Sequence, residues 1–295
     1  MRFGAFQKNF GDIEKLNQDG SGVQYSLNQF SDRTDSEWKS ILMNSKFLKF
    51  TGNLTSGLGL KSGRGFRRPD YIDWRNAGKV MSVKDQGQCG SCWAFATIAA
   101  VESQYAIKKG TLWSLSEQEL VDCEGESSVC NGGYLDKALG WILGNGLETE
   151  DDYPYSACSH DQCFLNAGKT RVRVDKGYRI PANENDIADW VANVGPVSFG
   201  GYCTCRNPVS FCMSVPNSFT SYRNGIYNPS PQECREQSLG GHAMAIIGYG
   251  REGDQDYWII KNSWGKSWGD QGYMRLARGV NACGMKENVV GPVID

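Results

Sequence analysis

Apolar residues recur every three or four positions at the start of the chain. Phe3, Phe6, Phe10, Ile13 and Leu16 therefore predict a short amphipathic helix over residues 2–17. A second helical stretch, CWAFATIAAVESQYAIKK from Cys92 to Lys109, is Ala-rich, apolar on most sides and stopped by Gly110, so it reads as a buried central helix. Ser116 and Glu119 have the spacing of a capping box and open a further helix. From about residue 196 the pattern changes. The runs at 243–249, 257–261 and 272–277 look like strands separated by Gly and Asp turns. Helices in the first half and strands in the second predict an α+β protein with one lobe of each kind. Residues 51–68, TGNLTSGLGLKSGRGFRR, carry five glycines and no apolar period, the texture of a flexible, protease-sensitive linker.

Composition narrows the class. The 295 residues are 40% hydrophobic and 22% charged, ordinary for a globular protein with room for a large, two-lobed core. No apolar run reaches the roughly 20 residues of a membrane span, and no basic stripe interleaved with aromatics points to nucleic acid. The opening MRFGAFQKNF lacks the apolar core of a secretion signal, so either the chain is cytosolic or it begins after its signal. Eleven cysteines favour the second alternative and an oxidising compartment. The odd number leaves at least one thiol outside any full pairing. Asn53-Leu-Thr55 is an acceptable N-glycosylation sequon, weak support for secretion. Through residue 67 there are ten Lys/Arg and six Asp/Glu, on an acidic remainder. That asymmetry suggests an attraction that weakens as carboxylates protonate, with a chance distribution of solvated charges as the alternative.

The stretch QGQCGSCWAF, Gln86–Phe95, holds the sharpest chemical question. Cys89 and Cys92 could be a redox pair, half of a metal site, or one structural bridge beside one reactive thiol. If Cys92 begins the helix, its sulfur faces unsatisfied backbone N–H groups and the positive end of the helix dipole, which favour thiolate. Only two histidines are available to pair with it. His160 lies in a polar loop between cysteines, where a solvated role is expected; His242 lies just ahead of an apolar strand. Downstream, Asn262 and Trp264 in NSWGKSWG could fix one imidazole nitrogen and shield that bond from water, leaving the other nitrogen for sulfur.

QGQCGSCWAF, GHAMAIIGYG and NSWGKSWG, in that order, resemble the papain-like cysteine proteases, the cathepsin family. The resemblance continues through Asp73-Trp74, Ser116-Glu-Gln118, Cys130-Asn-Gly-Gly133, Tyr153-Pro-Tyr155 and Cys283-Gly284, and so covers nearly everything from Pro69 onward. It implies a papain-like two-lobed fold, with a helical lobe over about 69–180 and a β-barrel-like lobe over about 181–295. It implies Cys92 as nucleophile, His242 as its acid–base partner, Asn262 as the group orienting the ring, and Gln86 as oxyanion donor. By the same correspondence Gly132 and Gly133 pair with substrate backbone. Tyr134, Leu135, Val197, Gly240, Ala243 and Asn288 line the pocket for the side chain two residues before the scissile bond, with Trp264 nearby. These residues are mostly apolar, so an aliphatic or aromatic preference is expected there. Family pairing gives Cys89–Cys130, Cys123–Cys163 and Cys234–Cys283.

Arg2, Phe6, Asn9, Ile13 and Asn17 match most of the helical signature of the family's inhibitory propeptide, and Asn28-Gln-Phe-Ser-Asp32 matches its second motif, with Ser26 where Gly is usual. The leading Glu of the signature would precede Met1, so the segment reads as N-terminally truncated. Residues 1–50 are then an autoinhibitory domain and 51–68 a linker cut near residues 65–68, with acid-triggered release. With Cys92 free, Cys158, Cys203, Cys205 and Cys212 are left to form two more bridges of undetermined pairing, five in all. Their C-x-C-x6-C spacing suits zinc poorly, so no metal or other cofactor is expected. Residues 200–212 look like an insertion relative to the family, and Gly241 replaces the usual Asp or Asn before the histidine. Expected partners are protein and peptide substrates, the chain's own propeptide and cystatin-type inhibitors, for a monomer that is lysosomal, endosomal or secreted. The rivals are a non-cutting scaffold and a thiol–disulfide oxidoreductase.

Overall fold

The computed structural model describes residues 2–44, 47, 52–57, 68–125, 127, 129–160, 162–166, 168–200 and 214–295. Most of the linker, including residues 58–67 of the expected cleavage region, and Cys203, Cys205 and Cys212 lie outside the described residues. In chain order the helices are α1 (Arg2–Leu16), α2 (Asp35–Ile41), α3 (Cys92–Lys109), α4 (Glu117–Cys123), α5 (Leu135–Asn145), α6 (Glu184–Asn193), α7 (Asn217–Thr220) and α8 (Pro231–Glu236). The strands are β1 (Gln24–Tyr25), β2 (Thr55–Ser56), β3 (Ile72–Asp73), β4 (Lys176–Ile180), β5 (Val197–Gly200), β6 (Ser214–Pro216), β7 (Tyr222–Asn224), β8 (Ile226–Tyr227), β9 (Ser238–Gly241), β10 (Ala243–Glu252), β11 (Gln255–Lys261), β12 (Tyr273–Ala277) and β13 (Asn288–Val293).

The main sheet runs β2-β4-β13-β5-β10-β11-β12-β8, with β3 added along β10. Its middle is antiparallel: Ile246 pairs with Val197 on one side and Ile260 on the other. Because both faces of β10 are covered, Ala243–Gly250 is buried throughout and shows no polar alternation. Met244, Ile246 and Tyr249 join an aromatic core with Trp190, Phe199, Phe219, Trp258, Trp264 and Trp268. Ala245 and Ile247 turn the other way, onto Ala99 of α3. Small residues on both elements let helix and sheet approach closely. A second core gathers Trp93, Leu120, Leu139 and Ile142 from the helical side with Val290 and Ile294 from the chain's end. Each such side chain contributes about 1.5–3 kcal/mol on burial. The N-terminus of α3 lies where these cores meet.

Helix α3 is buried from Cys92 to Gln104, and Gly110 closes it with φ 81°, its N–H bonded to the Ala106 carbonyl. Helix α4 forms as its capping residues predict, but only half of the box is made. The Ser116 hydroxyl accepts from Glu119 N–H, whereas the Glu119 carboxylate serves Glu148 N–H and Arg171. Helix α1 also forms, but of its apolar stripe only Ile13 is buried; Phe3 is 71% exposed. Polar contacts position it instead: the Asn9 amide donates to the Ser31 and Arg33 carbonyls, and Asn17 exchanges two bonds with the Tyr25 backbone.

One buried cluster was not foreseen. Lys84 Nζ lies 3.0 Å from Glu102 and 2.8 Å from Glu117, and Lys261 lies 4.0 Å from Glu102. Burial opposes the charge on Lys84, but Glu102 and Glu117 outweigh it and hold its pKa above the ordinary lysine value. This cluster ties α3 and α4 to β11 at Lys261, the residue preceding Asn262.

Candidate active site

Cys92 is the first residue of α3, fully buried, and carries a free thiol. Backbone N–H groups of Ala243, the residue that follows His242, and of Trp93 and Cys92 itself act to favour the thiolate. Burial nevertheless dominates and pushes the thiol up to about 12. His242, also fully buried, bonds through Nε2 to Asn262 Oδ1 at 2.7 Å, and its Nδ1 has no hydrogen-bond partner. Burial pushes the imidazole down to about 4, with the Asn262 bond opposing. Trp264 covers that pair, its ring 4.7 Å from the imidazole at 31°, and Phe219 stands edge-on at 6.3 Å. The site is thus held in its neutral form, thiol and imidazole.

Gln86 is locked from two sides. Its Oε1 accepts from Ser263 Oγ at 2.7 Å and its backbone N–H donates to the Ser263 carbonyl, so the loop carrying Asn262 also orients this amide. Its Nε2 then points to the Cys89 carbonyl at 2.9 Å and to the Ile41 carbonyl at 3.3 Å. The expected bridges Cys89–Cys130, Cys123–Cys163 and Cys234–Cys283 are formed. Cys89 is therefore unavailable as a redox partner for Cys92. Gly90 packs onto the bridge so closely that a Cβ there would meet the Cys130 carbonyl at 2.4 Å, which explains the glycine between the two cysteines. Five bridges are not formed, because Cys158 is an exposed free thiol whose sulfur faces Ser156 and His160 rather than another cysteine.

The N-terminal segment covers all of this. Asn28 donates to the Thr220 carbonyl and Gln29 to the Trp264 carbonyl. Phe30 and Trp38 pack on the Trp264 ring at 5.8 and 4.9 Å. After α2 the chain crosses the cleft: Ile41 offers its carbonyl to Gln86, Met43 pairs with Gly241 through bonds of 2.8 and 2.9 Å, and Phe47 stacks edge-on with Tyr134 at 5.0 Å. A Cβ at Gly132 would strike the Phe47 ring at 2.6 Å, and one at Gly240 would strike Leu42 at 2.8 Å.

Among the remaining expected pocket residues, Leu135 and Ala243 approach the same point beside Gly200, which pairs through its backbone with Asn288. The Asn288 amide is buried with neither atom hydrogen-bonded. Val197 belongs to the aromatic core rather than to this group. Gly133 has no room for a side chain, since a Cβ would lie 2.4 Å from the Trp93 indole. Ser263, Trp38 and Phe47 were missed in the sequence, although Ser263 stands between Asn262 and Trp264 in a motif already singled out. Among the described residues no group of acidic, His and Cys side chains could hold a metal ion.

Residues 68–293 match the papain family cysteine protease model, and residues 1–38 match the cathepsin propeptide inhibitor domain. The viral cathepsin of Antheraea pernyi nuclear polyhedrosis virus is 38% identical over 98% of this chain and 83% of that protein. Cathepsin F of Mus musculus is also 38% identical, with the whole chain spanning 60% of that longer protein. Among solved structures, digestive procathepsin L 3 of Tenebrio molitor superposes with a TM-score of 0.82 at 31% identity, covering 99% of this chain and 91% of that one. The proform of the ragweed pollen protease Amb a 11 gives 0.84 at 30% identity over 100% and 88%.

Proposed function

The chain belongs to the papain family of cysteine proteases and carries that family's inhibitory propeptide, and from that premise we propose that Cys92, His242, Asn262 and Gln86 are its catalytic residues. As a cysteine endopeptidase it hydrolyses peptide bonds through a thiol acyl-enzyme. His242 Nδ1 takes the Cys92 thiol proton, the thiolate attacks the scissile carbonyl carbon, and as the C–N bond breaks Nδ1 passes that proton to the departing amine, leaving the acyl thioester. The same nitrogen then takes a proton from water, whose oxygen displaces the sulfur. Gln86 Nε2 and the Cys92 N–H stabilise the oxyanion formed in each step. Asn262, bonded to Nε2, fixes the ring and leaves Nδ1 free to serve the sulfur, and Trp264 excludes water from that bond.

The observation that carries these assignments is the His242 ring itself: one nitrogen fixed at 2.7 Å by Asn262, the other without a partner, next to a fully buried free thiol at the start of α3. A thiol-directed epoxide tests it on the processed enzyme. Mass spectrometry is expected to find one adduct, on Cys92, appearing in step with loss of peptidase activity, and Cys92→Ala is expected to lose activity by about 10⁴-fold or more. Activity surviving full modification of Cys92 would contradict the assignment.

Ile41 lies at the oxyanion donor and Phe47 at Gly132, whereas a substrate whose residue two before the cut sits at Tyr134 would run from Gly132 toward Gln86, so the propeptide blocks the cleft in the reverse direction without presenting a scissile bond. The aromatic ring of Phe47 beside Tyr134 and Gly132 supports an apolar preference for the residue two before the cut. We place the boundary between propeptide and protease in the linker 51–68, the propeptide before it at 1–50 and the protease domain after it at 69–295. We take the protein as a monomer, open to cystatin-type inhibitors once processed. Its disulfides suit a lysosomal, endosomal or secreted location, and no helix among the described residues is long and apolar enough to cross a membrane.

A further inference from the structure

A second cysteine has a base and an orienting carboxylate of its own, outside the cleft. Cys158 is exposed and free, and its Sγ lies 3.9 Å from His160 Nε2. The other ring nitrogen, Nδ1, lies 2.8 Å from Asp122 Oδ2. The Asp122 side chain is wholly buried, whereas His160 is 38% exposed. Three further donors fix the carboxylate: Tyr153 OH at 2.8 Å, the His160 backbone N–H at 3.0 Å and Gln118 Nε2 at 2.9 Å. A carboxylate accepts only, so Nδ1 carries a proton, and in the neutral ring Nε2 presents a lone pair toward sulfur.

The thiol loop is held just as firmly. Gln118 Nε2 also donates to the Cys158 carbonyl at 2.7 Å, while its Oε1 accepts from Ser156 N–H and Oγ, both at 2.9 Å. The Ser156 hydroxyl hydrogen is thereby used on Gln118, leaving Ser156 Oγ, 3.3 Å from sulfur, as an acceptor. Both neighbours of the thiol are therefore acceptors. Of the two, only His160 can take the proton fully and then return a hydrogen bond to the thiolate. One buried glutamine positions thiol and carboxylate together, so the arrangement is set before any reagent arrives.

We propose that Cys158 is a second reactive thiol, a modification site at which His160, oriented by Asp122, acts as base for exchange with low-molecular-weight disulfides. His160 Nε2 takes the Cys158 proton as the sulfur attacks one sulfur of the disulfide. The new bond joins Cys158 to that sulfur, the old S–S bond breaks, and its electron pair leaves on the departing thiolate, which takes the proton from His160. Cys158 is oxidised to a mixed disulfide and one small thiol is released. The exposed Phe164, whose ring stands edge-on to His160 at 6.0 Å, gives the site an apolar flank suited to an aromatic disulfide.

The intact, unprocessed chain tests this independently of peptidase activity, because its Cys92 is buried. It is treated with 4,4′-dithiodipyridine, released thiopyridone is followed by absorbance, and the adduct is located by peptide mapping. The expected result is an adduct on Cys158 that forms at least about tenfold faster than on a synthetic peptide spanning residues 154–162, with the advantage lost in His160→Gln. Asp122→Asn is expected to slow the reaction while leaving His160 in place; if that variant does not fold, the half-exposed His160 variant decides alone. Three outcomes would overturn the proposal: Cys158 reacting no faster than the peptide, undiminished reaction in His160→Gln, or a non-reducing map showing Cys158 already bridged.

Discussion

Cys92 and Cys158 are both free cysteines with an imidazole in their surroundings, and they differ in almost everything else. Cys92 is fully buried beneath the propeptide, its histidine oriented by a neutral amide. Cys158 is open to solvent, its histidine oriented by a carboxylate. At the buried site desolvation outweighs the helix terminus and three backbone donors, and thiol and imidazole are both held neutral. The comparison teaches that a helix N-terminus activates a thiol only when water or a partner charge can reach it. The propeptide fills the cleft over this pair, and burial in the covered state opposes ionisation of both groups.

The largest way to disturb this contrast is to loosen the cover over Cys92. Trp38 is 2% exposed and packs on Trp264. Trp38→Ala is expected to cost about 3–5 kcal/mol of propeptide docking, weakening inhibition in trans by a factor on the order of 10²–10⁴. Inhibition constants for the isolated propeptide variants against processed enzyme check this, and near-equal constants would place the hold elsewhere. Next is the orienting group. Asn262→Ala removes the 2.7 Å bond to His242 and is expected to lower kcat by about 10²-fold with little change in KM. A change confined to KM would show that Asn262 shapes the pocket rather than the ring. The smallest expected effect is at the exposed site: Cys158→Ser is expected to leave peptidase kinetics within twofold or so of the parent, a surface-like substitution. A large loss of kcat would tie the two thiols together.

Much of the candidate site was legible because its signals are local. A helix opening at Cys92, a histidine before an apolar strand, and Asn262 beside Trp264 are short patterns whose chemistry survives without coordinates. The strands at 243–249 and 257–261 were legible for the same reason, as hydrophobic runs bounded by turns. What depends on distant partners was not. The stripe Phe3–Phe6–Phe10 has helical spacing, yet all three rings are exposed, and Phe6 and Phe10 stack on each other instead. Glu102 sits in an Ala-rich helix with no sign that Lys84 and Lys261 will meet it. Cys158 counts as one more cysteine to pair until its loop is seen folded onto Asp122.

The pH response follows from His242. In the covered state its pKa falls from 6.5 to about 4, so between those values the closed chain binds fewer protons than a form with His242 hydrated. Fewer protons in the closed form mean that acid destabilises it, by about 3 kcal/mol across that window. Within the propeptide, Glu37 acts in the same sense: hydrogen bonds from the Thr34 backbone and hydroxyl, and Arg2 nearby, lower its pKa, so its contribution is lost as pH falls through that lowered value.

The most direct measurement is the rate at which iodoacetamide alkylates Cys92 in short pulses between pH 8 and pH 4, read by mass spectrometry on intact and processed chains side by side. The expected result is negligible labelling of the intact chain near pH 7, rising as pH drops from 6.5 toward about 4, with the processed chain labelled rapidly throughout. Equal labelling of both at pH 7, or an intact chain that becomes less reactive in acid, would contradict the claim that burial in the covered state holds this thiol and imidazole neutral.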